Sequence, residues 1–191
     1  MADFKIAFGI TARTEGGYNP GVNENETFDG IDRGENPHWD GWEIIDAHKK
    51  ANPGASVSQL NKIFAADEAL QKNKLQFYKT NYWDVISLDK VNNQQLSNNL
   101  YDCSVNEGEG LAARFLQRAC NSCGAHTPLT VDGNIGPNTI SVTNSLDPEA
   151  LFNNVNSQRA AEYAEIIAKQ PKKAIWKSSW MGRLLTYKKP A

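Results

Sequence analysis

The sequence predicts a mainly α-helical fold with one small β-hairpin, and three observations carry that expectation. Apolar residues recur at three- and four-residue intervals along most of the chain. Several of the resulting segments open on a capping pattern or on proline. Residues 18–38 are instead polar, rich in Asn, Gly and Pro, and broken by short apolar islands, which suits an irregular hairpin.

Residues 3–15 form the first expected helix. Phe4, Ala7, Phe8 and Thr11 share a face that Ile6 and Ile10 widen, and Gly16-Gly17 ends it. Thr27-Phe28 and Gly30-Ile31 are the apolar islands of the hairpin. Asp40-Gly-Trp-Glu43 and Ser56-Val-Ser-Gln59 both have the spacing of a capping box, so helices should start at about Gly41 and Val57. Asp67 should cap a further helix running to Tyr82-Trp83. Leu96, Leu100 and Cys103 mark one face of a helix over about 93–106, and Leu111, Phe115 and Ala119 one over 111–122. Leu129–Val131 reads as extended, Asp132-Gly133 as a turn, and Pro137 as the first turn of a short helix. Asp147-Pro148 opens a long helix that Pro171 stops, and a last amphipathic piece holds Trp176, Trp180 and Leu184.

The 191 residues are 40 % hydrophobic, enough for a packed core in one domain or in a catalytic domain with a small module. No run of about 18 apolar residues occurs, so no membrane-spanning helix is expected. The formal net charge of −2 gives no nucleic-acid footprint. Acids stop at Glu165, after which Lys169, Lys172, Lys173, Lys177, Arg183, Lys188 and Lys189 follow. That run reads as a solvated helix face or as an attraction to an anionic wall polymer. The three cysteines, Cys103, Cys120 and Cys123, are an odd set that argues against a disulfide framework. Cys120, Cys123 and His126 resemble half a zinc site without the second pair such a site needs, and read as core or helix-end thiols. The acids between Glu24 and Asp40 lack the spacing of a calcium loop.

Glu15 stands where the first helix ends. The negative end of the helix dipole disfavours a charged carboxylate there, and burial against Phe8 or Tyr18 would push the same way. Both effects keep a carboxyl group protonated near neutral pH, the state in which it can hand a proton to a glycosidic oxygen. A surface Glu near a helix end is the plainer reading of that residue alone.

The motif Glu15-Gly-Gly-Tyr18, followed by Glu26-Thr-Phe-Asp-Gly-Ile31, resembles glycoside hydrolase family 108 and, in arrangement, the phage-type lysozymes. Pro37-His-Trp-Asp-Gly-Trp42, Tyr82-Trp83, Asp102-Cys-Ser-Val-Asn-Glu-Gly108 and Trp180-Met-Gly-Arg183 extend the resemblance along nearly the whole chain. It implies a lysozyme-like helical fold, with residues 1–92 as the catalytic domain. It also implies an N-acetylmuramidase that needs no cofactor or metal. Glu15 would be the catalytic acid, and Thr27, on the hairpin, would position water. Family members carry an Asp a few residues before that Thr, whereas Asn19–Glu26 here has none. Glu24 is the stand-in for the second carboxylate, with Glu26 and Asp29 as competitors. Tyr18, Asp29 and Asn106 are the expected substrate-binding residues. Tyr18 and Trp39 could stack on sugar, Trp42 suits the core, and Asn106 could equally cap its helix.

Leu111-Ala-Ala-Arg-Phe-Leu-Gln117 and Val131-Asp-Gly-Asn-Ile-Gly-Pro-Asn-Thr139 resemble peptidoglycan-binding helical modules. Residues 93–191 are therefore expected to be such a module, packed against the catalytic half. In this motif Asp132-Gly133 supplies a tight turn, Gly136 a close approach and Pro137 a helix start. Peptidoglycan is the expected partner, with a holin or a secretion system as the associated machinery. The Met1-Ala-Asp-Phe-Lys start does not read as a Sec-type signal. The expectation is a bacterial or phage-derived protein made in the cytoplasm and acting at the periplasm or cell wall. The rival reading is a catalytically inactive peptidoglycan-binding protein.

Overall fold

A computed structural model describes residues 1–11, 16–21 and 24–186. Among these residues the chain is mainly α-helical with a small antiparallel sheet, the fold class that the periodicity predicts. It divides into two compact units, one of Thr11–Thr80 and one of Met1–Ile10 with Asn81–Ala191.

In the unit of Thr11–Thr80, strands β1 (Tyr18–Asn19), β2 (Thr27–Phe28) and β3 (Ile31–Asp32) pair in that order. Tyr18 lies opposite Phe28 and Asn19 opposite Thr27. Thr27 also pairs with Asp32, and Phe28 with Ile31. Alternation along the strands sends Tyr18, Phe28 and Ile31 into the core. There they meet helices α2 (Gly41–Ala51), α3 (Val57–Ala66) and α4 (Glu68–Tyr78). Phe64 of α3 receives ring contacts from Tyr18 at 5.2 Å, Phe28 at 5.7 Å and His48 at 6.0 Å. Trp42 is buried, and its indole N–H donates to the Asn36 carbonyl at 2.8 Å.

Ser56 and Gln59 form the full capping box, and Asp67 caps α4 by accepting from the Leu70 amide at 2.8 Å. The box expected at Asp40 does not form. Asp40 already has helical angles (φ −57°, ψ −23°), because turns through Asn36–Trp42 wind the chain up early. Its side chain therefore makes no capping hydrogen bond.

In the other unit, Phe4 of α1 (Phe4–Thr11) packs edge-on against Trp83 at 5.7 Å and Tyr101 at 5.6 Å. Residues 12–15, the expected last turn of this helix, lie outside the described residues. A π-helical turn over Lys79–Trp83 follows α4. Helices α5 (Gln94–Glu107), α6 (Glu109–Ser122), α7 (Pro137–Ser145), α8 (Pro148–Lys169) and α9 (Lys177–Thr186) complete the fold. A 3-10 turn over Pro171–Trp176 precedes α9. No helix among the described residues is long and apolar enough to cross a membrane.

The spacing of Leu96, Leu100 and Cys103 predicts one apolar face on α5. Instead every residue from Leu96 to Ser104 is buried, because α6 and α8 both pack on this helix. Its polar side chains are met from α8. Arg159, 0 % exposed, holds Asp102 at 2.7 Å, Glu107 at 2.7 Å and the Asn99 side-chain carbonyl at 2.6 Å. The Tyr163 hydroxyl donates to Glu107 at 2.7 Å. Burial raises the pKa of that hydroxyl, with Glu107 adding and Arg159 opposing, so it stays a donor. From α9, Arg183 reaches Asp102 at 3.0 Å and Trp180 stacks on Tyr163 at 5.0 Å.

Gln117 explains the turn at 132–134. Its amide nitrogen donates to Asp132 at 2.8 Å and to the Asn134 carbonyl at 3.0 Å, and its oxygen accepts from the Gly133 amide at 3.0 Å. Gly133 (φ +84°) is the glycine at a close approach, since a Cβ there would sit 3.2 Å from the Gly110 carbonyl oxygen and from Arg114 Nε. Gly136, expected to serve that purpose, has open space around it and an extended backbone leading into α7.

Candidate active site

The hairpin of the unit Thr11–Thr80 gathers most of the sequence-predicted site residues. Glu15 itself lies outside the described residues, but the two residues after its neighbouring glycine are tightly specified. The Gly17 amide donates to the Asp29 carboxylate at 2.9 Å, and the Asp29 amide donates back to the Gly17 carbonyl at 2.8 Å. Next in the chain, the Tyr18 amide donates to the Asn61 side-chain oxygen at 2.8 Å. Gly17 has φ +62°, and a Cβ there would lie 2.8 Å from that same oxygen. The second glycine of the E-G-G-Y motif is therefore required both by its conformation and by the approach of α3.

Asp29 is held in turn. It adopts φ +44°, its carboxylate takes an ion pair from Lys74 of α4 at 2.7 Å, and its carbonyl accepts from the Tyr78 hydroxyl at 2.6 Å. Its carboxylate oxygens are thus shared between a backbone amide and an ammonium. Asp29, expected to bind substrate, is held in this structure by these protein partners.

Glu26 is the most heavily partnered acid of the hairpin. It accepts from the Tyr18 hydroxyl at 2.7 Å and from Lys49 at 2.7 Å, and it pairs with Arg33, which also grips Asp46. Burial pushes its pKa up, but the hydrogen bonds from Lys49, Tyr18 and Arg33 outweigh this and hold it below the ordinary value of 4.5. Glu26 is a fixed anion that anchors the sheet to α2. Tyr18 is 4 % exposed, and its hydroxyl serves this cluster. Burial and the facing Glu26 raise its pKa.

A lowered native pKa means that ionised Glu26 stabilises the fold above its unfolded value, and that this contribution fades as pH falls through the native value. Thermal midpoints measured on the acid side should therefore drop from about pH 4.5 downward in the native chain, and Glu26→Gln should flatten that slope. An unchanged slope in the variant would contradict the pairing.

Glu24 sits between β1 and β2, exposed, with no hydrogen bond or ion pair among the described residues. Of the three acids that could supply a second carboxylate, it is the one not committed to the fold. Thr27 is half-buried in β2, opposite Asn19. Asn106 belongs to the other unit, where it is exposed at the end of α5 and donates to the Asp102 carbonyl at 2.8 Å. Trp39, half-buried, stacks on Phe28 at 6.1 Å and meets Trp42 edge-on at 5.1 Å.

No group of three or more His, Cys, Asp or Glu side chains able to hold a metal occurs among the described residues. Cys103 and Cys120 are buried and Cys123 half-buried, all as free thiols, and burial raises the pKa of each. Asn61, Lys74, Lys49 and Arg33 belong to the site although no motif or periodicity in the sequence marks them.

Residues 8–108 match the family described as Glycosyl hydrolase 108, and the chain belongs to that family. Residues 111–185 match a second family, described as Predicted Peptidoglycan domain. Among solved structures, that of SagA from Brucella abortus shares the fold. It has a TM-score of 0.58 at 17 % identity, and the match covers 98 % of this chain and 97 % of that one. No curated protein matches the chain.

Proposed function

We propose that the chain is an N-acetylmuramidase that cleaves the β-1,4 bond between N-acetylmuramic acid and N-acetylglucosamine in peptidoglycan. The observation that carries this reading is the membership of residues 8–108 in glycosyl hydrolase family 108, with the E-G-G-Y segment tied to the hairpin by the Gly17–Asp29 exchange. Glu15 donates its proton to the glycosidic oxygen as the bond from that oxygen to the anomeric carbon breaks. A water held by Thr27 and Glu24 adds to the anomeric carbon, and its proton passes to the Glu24 carboxylate. Tyr18 and Asp29 serve substrate binding by fixing the turn beside Glu15. Asn106 is the proposed substrate contact of the other unit.

Catalysis is assigned to residues 1–92 and wall binding to residues 93–191, the latter supported by the match over 111–185. The proposed place of action is the bacterial cell wall, reached as a phage endolysin beside a holin or as an accessory of a secretion system. Digestion of purified sacculi followed by mass analysis of the fragments tests the activity. Disaccharide-peptides with N-acetylmuramic acid at the reducing end are expected. Intact sacculi that retain bound protein would replace this reading with that of a non-catalytic wall binder.

A further inference from the structure

Beyond Glu165 the chain has no acidic residue, and the turn that leads into α9 displays basic and apolar side chains together. All six residues of Pro171–Trp176 are exposed. Ile175 is 78 % and Trp176 54 % exposed, beside exposed Lys172, Lys173 and Lys177. No acidic side chain pairs with these three lysines among the described residues. Further along, Met181 and Leu185 of α9 are 40 % and 58 % exposed. The inner face of α9 is meanwhile fixed by Trp180 on Tyr163, by Arg183 on Asp102 and by buried Leu184. The apolar side chains are therefore displayed from a docked element rather than from a loose tail.

We propose that residues 171–185 form a docking surface for an anionic phospholipid membrane, with Ile175 and Trp176 entering the headgroup region and Lys172, Lys173 and Lys177 meeting lipid phosphates. Charge complementarity selects a polyanionic partner, and the apolar side chains select among polyanions. A soluble wall polymer would neutralise the lysines and could meet Trp176 with a sugar face, but it would leave the aliphatic Ile175, 78 % exposed, in water. A bilayer interface takes both, since tryptophan and aliphatic side chains gain by burial at the headgroup boundary while lysines stay at its surface. A second copy seated on this same patch about a two-fold axis would bring lysine against lysine. The surface belongs to a different unit of the chain from the hairpin and does not depend on the chain being a hydrolase.

Flotation of the full chain with vesicles of equimolar phosphatidylglycerol and phosphatidylcholine, against vesicles of phosphatidylcholine alone, tests it. Binding is expected to the first only, and to weaken with salt. Lys172→Glu/Lys173→Glu should weaken it at least about tenfold, as the loss of two surface cations predicts. Ile175→Ser/Trp176→Ser should also release the protein, with an unchanged thermal midpoint because both side chains are exposed. Glu15→Gln should bind as the native chain does, which separates this surface from the catalytic reading. The proposal is overturned by absence of vesicle binding. It is equally overturned by vesicle binding that the Ile175/Trp176 variant keeps in full, or by loss of a dimer as the only effect of that variant.

Discussion

Glu15→Gln is expected to lose peptidoglycan hydrolysis by at least about a hundredfold, the lower end of what a positioned general acid contributes. The amide keeps the shape of the side chain and removes the proton that the leaving oxygen needs. The fold should be unaffected, because glutamine keeps the size of the side chain and still offers a carbonyl acceptor. The variant should match the native chain in thermal midpoint and in binding to sacculi while releasing no fragments. Full activity in it would remove Glu15 from the mechanism. Asp29→Ala gives the contrasting result. It strips an acceptor from the Gly17 amide and a partner from Lys74, so it should cost about 1–3 kcal/mol of stability together with activity. Asp29→Asn retains a side-chain acceptor for the amide and should recover part of both. That partial recovery distinguishes a residue that positions the turn from one that touches the reacting atoms.

Arg159→Met should be the most destabilising single change in the unit that holds α5, α6 and α8. The guanidinium is fully buried and faces two carboxylates, with Asp102 1 % and Glu107 6 % exposed in their side chains. Removing one partner of a buried ion pair leaves an uncompensated charge and costs about 3–5 kcal/mol. Asp102 retains Arg183, but Glu107 would retain only uncharged partners among those described for it, the Tyr163 hydroxyl and the Cys103 thiol. Urea unfolding of the full chain should therefore show a much lower midpoint for Arg159→Met. Tyr163→Phe, which removes a single hydroxyl, should cost only about 1 kcal/mol. A loss in Arg159→Met no larger than that in Tyr163→Phe would show that water reaches the carboxylates once the guanidinium is gone.

Much of the helical framework is legible in the sequence because it rests on local rules. Ser56 and Asp67 cap their helices through side-chain oxygens three residues from the amides they bind, and Pro137 and Pro148 start helices with a φ already set. The exceptions are tertiary. Asp40 has the right spacing for a box, yet the turn before it has already wound the chain into helical angles. The polar residues of α5 read as a solvated face until Arg159, more than fifty residues away, is known to lie against them. In the hairpin, the sequence puts Glu24 ahead of Glu26 and Asp29 but holds no physical reason for that order. Their difference lies in Lys49, Arg33 and Lys74, which arrive from beyond the strands and carry no signature of their own. Gly17 reads as a helix stop, and its second duty beside Asn61 depends on a helix that no local pattern links to it.

The regions matched by the two families, 8–108 and 111–185, leave only Glu109 and Gly110 between them. Gly108, at φ +95°, ends α5, and α6 starts at the next residue. A recombination event at that point would look tidy in a gene. In the protein it would split the charges, since Asp102 and Glu107 come from the first region while Arg159, Tyr163 and Arg183 come from the second. Each product would inherit one sign of a buried cluster without the other. An exchange at Gly108 therefore leaves Asp102 and Glu107 uncompensated unless the incoming region brings its own cations to the places of Arg159 and Arg183.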